Sequence, residues 1–505
     1  MPRNARDRRR TPGRPADLTA DAYERVAYGG AALVLGDAAL ERVAESRGLF
    51  LKHLATGVIC YGVNTGLGAL SKTDLTPEEM ALLPRQILMG RAAATGAPYP
   101  AAVARGMLLV RLAQFLGGAP AVTPALCRVM AERLNDGMAP YVPSQGHGMA
   151  GEIIPLTHMA QPLIGEGFVL DGEGHRQSAA DWHTARGLAP YDPQPKEGIA
   201  LINGVAAAPA VAWHALRRLR ATRRLAGQVA AMAVDGLAAP LEPFHPAVAD
   251  LRPDPGLGEA AAEIMALVAG SAIERAGRQA PVSFRVIPQI HGVLSDALDG
   301  LETATLREMT SVGDNPAFLA DAEDAAGGRL LHAGNFHAAA LTHAVEGAAL
   351  ALAQAGLLSE RRLHRLLDPR FSGLSPQLAK RPGLDAGLVT LHKAVLGYAA
   401  RLRSLAVPPS LQHGDSSFGQ EDVMTMTLPA LDRLAEIDGL VRIILVHEAY
   451  AAAVALDQRA QAPGEGVDAC RAAVRAVVPP YEGDRSYGPE IEALLDRIGD
   501  DSIPR

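Results

Sequence analysis

The chain has 505 residues, of which 48% are hydrophobic, 20% charged and only 4% aromatic, and its formal net charge is −7. This mildly acidic balance gives no reason to expect nucleic acid or an anionic membrane as a partner. Cys60, Cys127 and Cys470 are scattered and form no C-x-x-C pair, which argues against a disulfide framework or a metal site.

The first fifteen residues, MPRNARDRRRTPGRP, are basic and proline-rich, and no apolar segment follows them. This pattern predicts a disordered tail over residues 1–20 and no signal peptide. The best candidate for a membrane span, residues 340–358, is interrupted by His343 and Glu346. We predict a buried helix there rather than a membrane span, and a cytoplasmic protein.

Helix signals recur along the chain. Thr76 precedes Pro77 and stands three residues before Glu79, which is the pattern of a capping box. Thr123 and Pro124 predict a second helix start. The stretch GEGFVLDGEGH contains a short apolar run broken by Asp-Gly and predicts a small hairpin.

From about residue 201 to 456, long segments rich in alanine and leucine alternate with short breaks of glycine and proline. This texture predicts a helical bundle whose loops collect polar residues. We therefore predict a mainly α protein with a loop-rich N-terminal domain (21–215) followed by a central and C-terminal bundle (216–505). Metalloprotease, Walker, nucleophile-elbow and dinucleotide-binding motifs are not found.

Eight motifs follow one another between about residues 25 and 430: CYGVNTGLG, VPSQG with AGEIIPLTHMAQPLIGEG, KEGIALING, QAPVSFRVIPQIHG, SVGDNPAF, AGNFH, LSERRLHRLLDPRFSGL and GQEDVMTM. In sequence and order they resemble the histidine, phenylalanine and tyrosine ammonia-lyase and aminomutase family. The resemblance implies a long helical bundle of the fumarase/aspartase-like type, with the active-site loops in the N-terminal domain. It also implies a homotetramer whose active sites take residues from several subunits, and a role in amino acid or secondary metabolism.

The family reaction removes ammonia from an α-amino acid or moves it to the β-carbon. Because the β-proton is barely acidic and ammonia leaves poorly, the family uses an electrophile, methylidene-imidazolone (MIO), formed from an Ala-Ser-Gly stretch. Here that stretch falls on Met149, Ala150 and Gly151 in a loop one residue shorter, and no Ser, Thr or Cys lies between Gly146 and Pro155. Since Ala150 has no hydroxyl to eliminate, we predict a divergent member without MIO and without another cofactor.

The remaining site residues are in family register. By this resemblance Tyr61 is the base that removes the β-proton, Asn203 holds the substrate carboxylate or the cofactor oxygen, and Arg285 binds the α-carboxylate. Gln289, Phe336 and Glu421 match positions that line the pocket. The alternative is that all of these are scaffold remnants in ordinary ion pairs and helix caps.

Arg91 departs from the family pattern. The pair that selects the substrate side chain falls on Gly90 and Arg91, while a family tyrosine and aspartate fall on Val282 and Ala280. A cation buried where aromatic substrates lie is costly unless an anion meets it. Either a protein carboxylate pairs with Arg91, or the substrate has a second negative group and Arg91 and Arg285 bind it as a dianion.

His147 lies inside the altered loop with glycine on both sides. It is either a loop histidine without a role or a general acid for the leaving group, in place of the lost chemistry.

Three functions are compatible with these residues. The first is an MIO-independent lyase-like enzyme in which Tyr61 removes a proton from an amino-acid-like or carboxylate substrate, in an elimination, dehydration, isomerisation or cyclisation. The second is a pseudoenzyme or binding subunit that kept the bundle and lost the reaction. The third is an ammonia lyase or aminomutase with an unrecognised electrophile. It ranks last because losing the electrophile removes many tenfold factors of rate, each worth about 1.4 kcal/mol of barrier.

Overall fold

The structure is a computed structural model that describes residues 18–275, 277–412 and 414–499. The predicted tail lies outside the described residues as far as residue 17. Its last three residues belong to the folded chain, because Leu18 is buried and the Thr19 side chain caps a helix that begins at Ala20.

The chain divides into two compact units, and the first runs to His214 and includes Glu302–His343 and Pro409–Leu431. Its helices are α1 (Ala20–Ala27), α2 (Asp37–Leu54), α3 (Pro77–Met89), α4 (Ala101–Phe115), α5 (Pro124–Asn135), α6 (Ile153–Ala160), α7 (Ala179–Thr184) and α8 (Glu197–Ile202). Its strands form three antiparallel pairs: β1 (Thr95–Pro98) with β2 (Pro143–Gln145), β3 (Phe168–Leu170) with β4 (Arg176–Ser178), and β5 (Ala317–Ala320) with β6 (Gly328–Leu331). The predicted hairpin is confirmed as β3–β4.

The second unit comprises Ala215–Leu301, Ala344–Pro408 and the residues from Asp432 onward. It contains most of α9 (Ala207–Leu237), α13 (Ile287–Met309), α14 (Ala339–Leu366) and α17 (Thr427–Asp457). Its other helices are α10 (Pro246–Leu251), α11 (Pro255–Leu267), α12 (Val282–Arg285), α15 (Pro369–Ser372), α16 (Val389–Leu405), α18 (Glu465–Arg475) and α19 (Gly488–Gly499). The mainly α bundle predicted from composition is confirmed.

The compact units differ from the predicted domains in one respect. The predicted boundary at residue 215 coincides with the end of the first segment at His214, but two later segments return to the first unit. One reason is β5, whose Phe318 packs edge-on against Phe50 with ring centroids 5.5 Å apart. Such long-range aromatic packing has no signal in a linear pattern.

Local rules explain several helix starts. The Thr76 side chain accepts a hydrogen bond from the Glu79 backbone N–H, and the Glu79 carboxylate accepts one from the Thr76 N–H. Thr123 caps α5 through the Leu126 N–H. Both predicted caps are confirmed, and caps of this kind contribute about 0.5–2 kcal/mol each.

Three helical segments among the described residues are long and apolar enough to cross a membrane: Glu197–Leu237, Ala339–Leu366 and Thr427–Asp457. Their most apolar windows are 83%, 50% and 83% buried inside the protein. The stretch singled out in the sequence, residues 340–358, lies in the second of these, and half of its window is covered by the protein.

Candidate active site

A cavity of about 470 Å³ in the first unit gathers half of the predicted catalytic and substrate-binding residues. Its lining includes Tyr61, Asn203, Phe336 and Glu421, together with Ala150 and Gly151 of the altered loop. A cavity of this volume is in the usual range for small-molecule sites. The fold therefore brings together residues that are up to 360 positions apart in the chain.

Tyr61 reaches the cavity from a loop that is fixed on both sides. Cys60 and Val63 are buried in a hydrophobic core cluster of the first unit. The Asn64 side chain accepts a hydrogen bond from the Cys60 N–H at 2.7 Å and donates one to the Val58 carbonyl at 2.8 Å. These two hydrogen bonds of Asn64 fix the backbone turn that positions the Tyr61 phenol.

The Tyr61 phenol oxygen accepts a hydrogen bond from the Gly68 N–H at 2.8 Å. Burial raises the pKa of Tyr61, whereas this hydrogen bond lowers it; the Glu421 carboxylate adds to the increase and the Arg91 guanidinium opposes it. A donor and a cation both favour the phenolate, which is the form that takes up a proton. The Gly68 N–H and Arg91 thus favour the phenolate, while burial has the larger effect and favours the neutral phenol.

Arg91 is half-buried, and its guanidinium donates to the Ile87 carbonyl at 3.3 Å. Burial lowers the pKa of Arg91, while Tyr61 and Glu421 raise it. Within the described ranges, no carboxylate lies within 4 Å of Arg91. The alternative in which a protein carboxylate pairs directly with this cation is therefore not found in the described chain.

Asn203 donates through its side-chain amide to the Asn315 carbonyl at 2.8 Å. Asn315, Ser71 and His332 also line the cavity, although none was predicted to do so. The only signal for them in the sequence is that Asn315 stands inside the SVGDNPAF motif.

A buried ion cluster supports this part of the cavity. Lys196 Nζ lies 2.6 Å from one Asp314 oxygen and Arg111 Nη2 lies 3.1 Å from the other, and all three side chains are fully buried. The Arg111 guanidinium also donates to the Asn203 carbonyl at 2.7 Å. One carboxylate between two cations thus fixes the backbone that carries Asn203.

Glu152 directly follows the altered loop and binds the start of α9. Its carboxylate accepts hydrogen bonds from the N–H groups of Ala206, Ala207 and Ala208 at 2.7, 2.6 and 2.8 Å. Burial raises the pKa of Glu152 to about 7, against the lowering effect of these three donors. The loop therefore ends at a fixed anchor next to Gly151.

We expect Glu152→Ala to lower the free energy of unfolding by at least about 3 kcal/mol, because three buried donors lose their acceptor and each costs about 1–3 kcal/mol. Glu152→Gln, which keeps one acceptor oxygen, should lose less. Urea denaturation followed by circular dichroism measures both, with exposed Glu41→Ala as the control. Equal stability of Glu152→Ala and the control would refute the anchor.

The structure does not bring His147 to this cavity. Its ring is buried and stacks on Tyr99, with centroids 6.1 Å apart and planes 14° from parallel. Burial lowers the pKa of His147, which favours the neutral ring. His147 therefore has a packing position in the described chain, not the position of a general acid at the cavity.

Arg285 and Gln289 also lie elsewhere, in the second unit, where they line a different cavity of about 430 Å³. Arg285 is exposed and donates to the Gln279 side-chain oxygen at 3.2 Å. Within the described chain, the first cavity therefore lacks the predicted carboxylate-binding arginine.

A family model described as aromatic amino acid lyase matches residues 18–476. The histidine ammonia-lyase of Anaeromyxobacter dehalogenans is 33% identical over 94% of this chain and 96% of its own length. The chain belongs to the aromatic amino acid lyase family. It is an enzyme of the lyase type, in a family that depends on MIO.

Two solved structures extend the comparison for this aromatic amino acid lyase. Tyrosine aminomutase from Streptomyces globisporus has a TM-score of 0.87 and 28% identity, covering 96% of both chains. Ergothionase from Treponema denticola, an ergothioneine-degrading enzyme in complex with desmethyl-ergothioneine sulfonic acid, has a TM-score of 0.91 and 25% identity, covering 96% of this chain and 98% of that chain. The predicted ammonia-lyase fold is confirmed.

Proposed function

We propose that this lyase acts without MIO. The observation that carries the proposal is that Tyr61 lines the same cavity as Ala150 and Gly151, where the family forms its electrophile. Ala150 has a methyl group and no oxygen to lose, and residues 146–155 contain no Ser, Thr or Cys. The residues present do not fit MIO, while the residues around the base are kept.

Without an electrophile the leaving group must depart unaided. A quaternary ammonium group meets this requirement, because it leaves as a neutral tertiary amine, whereas a primary amine does not. The proposed reaction is elimination from a carboxylate-bearing betaine. The Tyr61 phenolate takes the β-proton, the C–H electron pair forms the carbon–carbon double bond, and the Cα–N bond breaks with its electron pair going to the amine. The tyrosine then returns the proton to solvent.

The ergothionase relative supports this substrate class, since ergothioneine carries a trimethylammonium group on its α-carbon. The ligand in that structure has a sulfonic acid, which is an anion at neutral pH, in addition to its carboxylate. Arg91 does not line the cavity, but its charge acts on Tyr61 and Glu421, and no carboxylate partner lies within 4 Å of it in the described chain. Charge that develops in the transition state is stabilised by such a fixed cation.

We also propose that the protein is a cytoplasmic homotetramer with shared active sites, as the family resemblance implies. In that assembly Arg285 and Gln289 hold the α-carboxylate in a neighbouring subunit's site. The fork of a guanidinium matches a carboxylate in geometry and charge.

The test has two readouts. The intact mass should equal that of the unmodified chain; a mass lower by two water molecules, with a near-ultraviolet chromophore, would contradict the absence of MIO. Incubation with ergothioneine or trimethylhistidine should release trimethylamine and give an unsaturated acid, whereas histidine should release no ammonia. Ammonia release from histidine would favour an unrecognised electrophile, and no turnover of any metabolite in a cell extract would favour a pseudoenzyme.

A further inference from the structure

The 430 Å³ cavity of the second unit is lined by two arginines and one glutamate, Arg278, Arg285 and Glu242. The guanidinium of Arg285 donates to the neutral Gln279 side chain. No carboxylate of the described residues lies within 4 Å of Arg278 or Arg285, and Glu242 shares the cavity without pairing with either. The cavity thus presents two positive charges and one negative charge that remain available to a ligand.

The neutral part of the lining supports a ligand site. Val248, Val282 and Val286 form apolar wall between the charged groups. The Gln289 side-chain oxygen is buried and has no hydrogen-bond partner in the part of the chain that the structure describes. A buried polar atom without a partner costs about 1–3 kcal/mol, which a bound ligand recovers. Because an amide can be flipped, Gln289 offers the ligand either an acceptor or a donor.

Two differences from the family pattern change the charge of this region. Ala280 stands where the family has an aspartate and Val282 where it has a tyrosine. The cavity that contains Arg285 therefore lacks a carboxylate at position 280, and Arg278 adds a second guanidinium. A single arginine is enough to bind one carboxylate, so the second arginine leaves a positive charge for another anionic group.

We propose that this cavity recognises a small molecule with two anionic groups and one cationic nitrogen, in which Arg278 binds the second anionic group. Arg285 takes the first anionic group, and Glu242 faces the cationic nitrogen. Acidic amino acids and their sulfonate or betaine analogues have this charge pattern, with a net charge of −1 that balances the cavity. That such a molecule is also the substrate rests on the proposed function. That it binds in this cavity does not rest on the proposed function.

The experiment is isothermal titration of the whole protein with L-glutamate and L-2-aminoadipate, each compared with L-glutamine. Glutamine has nearly the shape of glutamate but lacks the second charge. We expect at least one acidic probe to bind about tenfold or more tightly than glutamine, since charge-assisted hydrogen bonds to a guanidinium are worth more than neutral ones. Arg278→Gln should reduce this preference to less than about threefold.

The control is Arg252→Gln, which removes an exposed arginine of the same unit outside the cavity lining. It should keep the preference for the acidic probe. Arg285→Gln should weaken all three probes. Absence of a preference in the wild type, or its persistence in Arg278→Gln, would overturn the proposal. These outcomes do not depend on turnover, so a failure here is distinguishable from a failure of the Tyr61 reaction.

Discussion

Tyr61→Phe is expected to lower kcat/KM for the true substrate by about 100- to 10,000-fold, which is the usual contribution of a positioned general base. The change removes only the phenol oxygen. The ring keeps its place because Cys60 and Val63 remain buried on either side of it. The folded protein gives up the hydrogen bond from the Gly68 N–H, which is worth about 1 kcal/mol. Steady-state rates and a thermal melt therefore separate lost chemistry from lost folding.

The pH profile gives the same prediction a second readout. A base acts in its deprotonated form, and burial raises the pKa of Tyr61. Raising the pKa moves the acidic limb of the profile to higher pH, so wild-type kcat/KM should increase as pH rises above neutral. The control is Tyr141→Phe, a tyrosine of the same unit that does not line the cavity. If Tyr61→Phe retained the rate and acidic limb of this control, the proposed base would be wrong.

Asp314→Ala should destabilise the protein by about 3–5 kcal/mol, which is the cost of breaking a buried ion pair by removing one partner. We expect a loss of stability near the upper limit of this range because the carboxylate pairs with two cations, Arg111 and Lys196. None of the three side chains is exposed. Burial already lowers the pKa of Arg111, and Asp314 is the principal charge that opposes this effect. Urea or thermal unfolding measures the difference from wild type.

Asp314→Asn separates charge from shape. The amide fills the same space but leaves two buried cations uncompensated, so its loss should approach that of the alanine variant. Asp192→Ala, at an exposed position of the same unit, should stay within about 0.5 kcal/mol of wild type. If Asp314→Asn were as stable as Asp192→Ala, the cluster would not contribute through its charges.

Local rules were sufficient for much of the fold. The caps at Thr76 and Thr123 and the turn at Asp171 depend on neighbouring residues, so their patterns predicted the helix starts and the hairpin. The order of the motifs also predicted that Tyr61 and Glu421 belong to one site, and both line one cavity.

Tertiary relations were not predictable in the same way. Lys196 and Asp314 are 118 positions apart, and nothing in either motif states that they pair. His147 stands in the altered loop in sequence, yet its ring packs on Tyr99 instead of lining the cavity. Alternation and spacing predict the face or the turn on which a residue lies. They do not predict which distant ring or charge it will meet.

Glu152 fixes where the altered loop ends, and it does so independently of the residues that would carry the loop's chemistry. The end of the loop is held by the start of α9, so replacement of Met149 or Ala150 leaves its fixed point in place. A lineage could therefore exchange an electrophile for inert residues without first rebuilding the scaffold, and natural selection could then act on the leaving group of the substrate. The same tolerance makes the loop a practical position for engineering new reactive groups beside Tyr61.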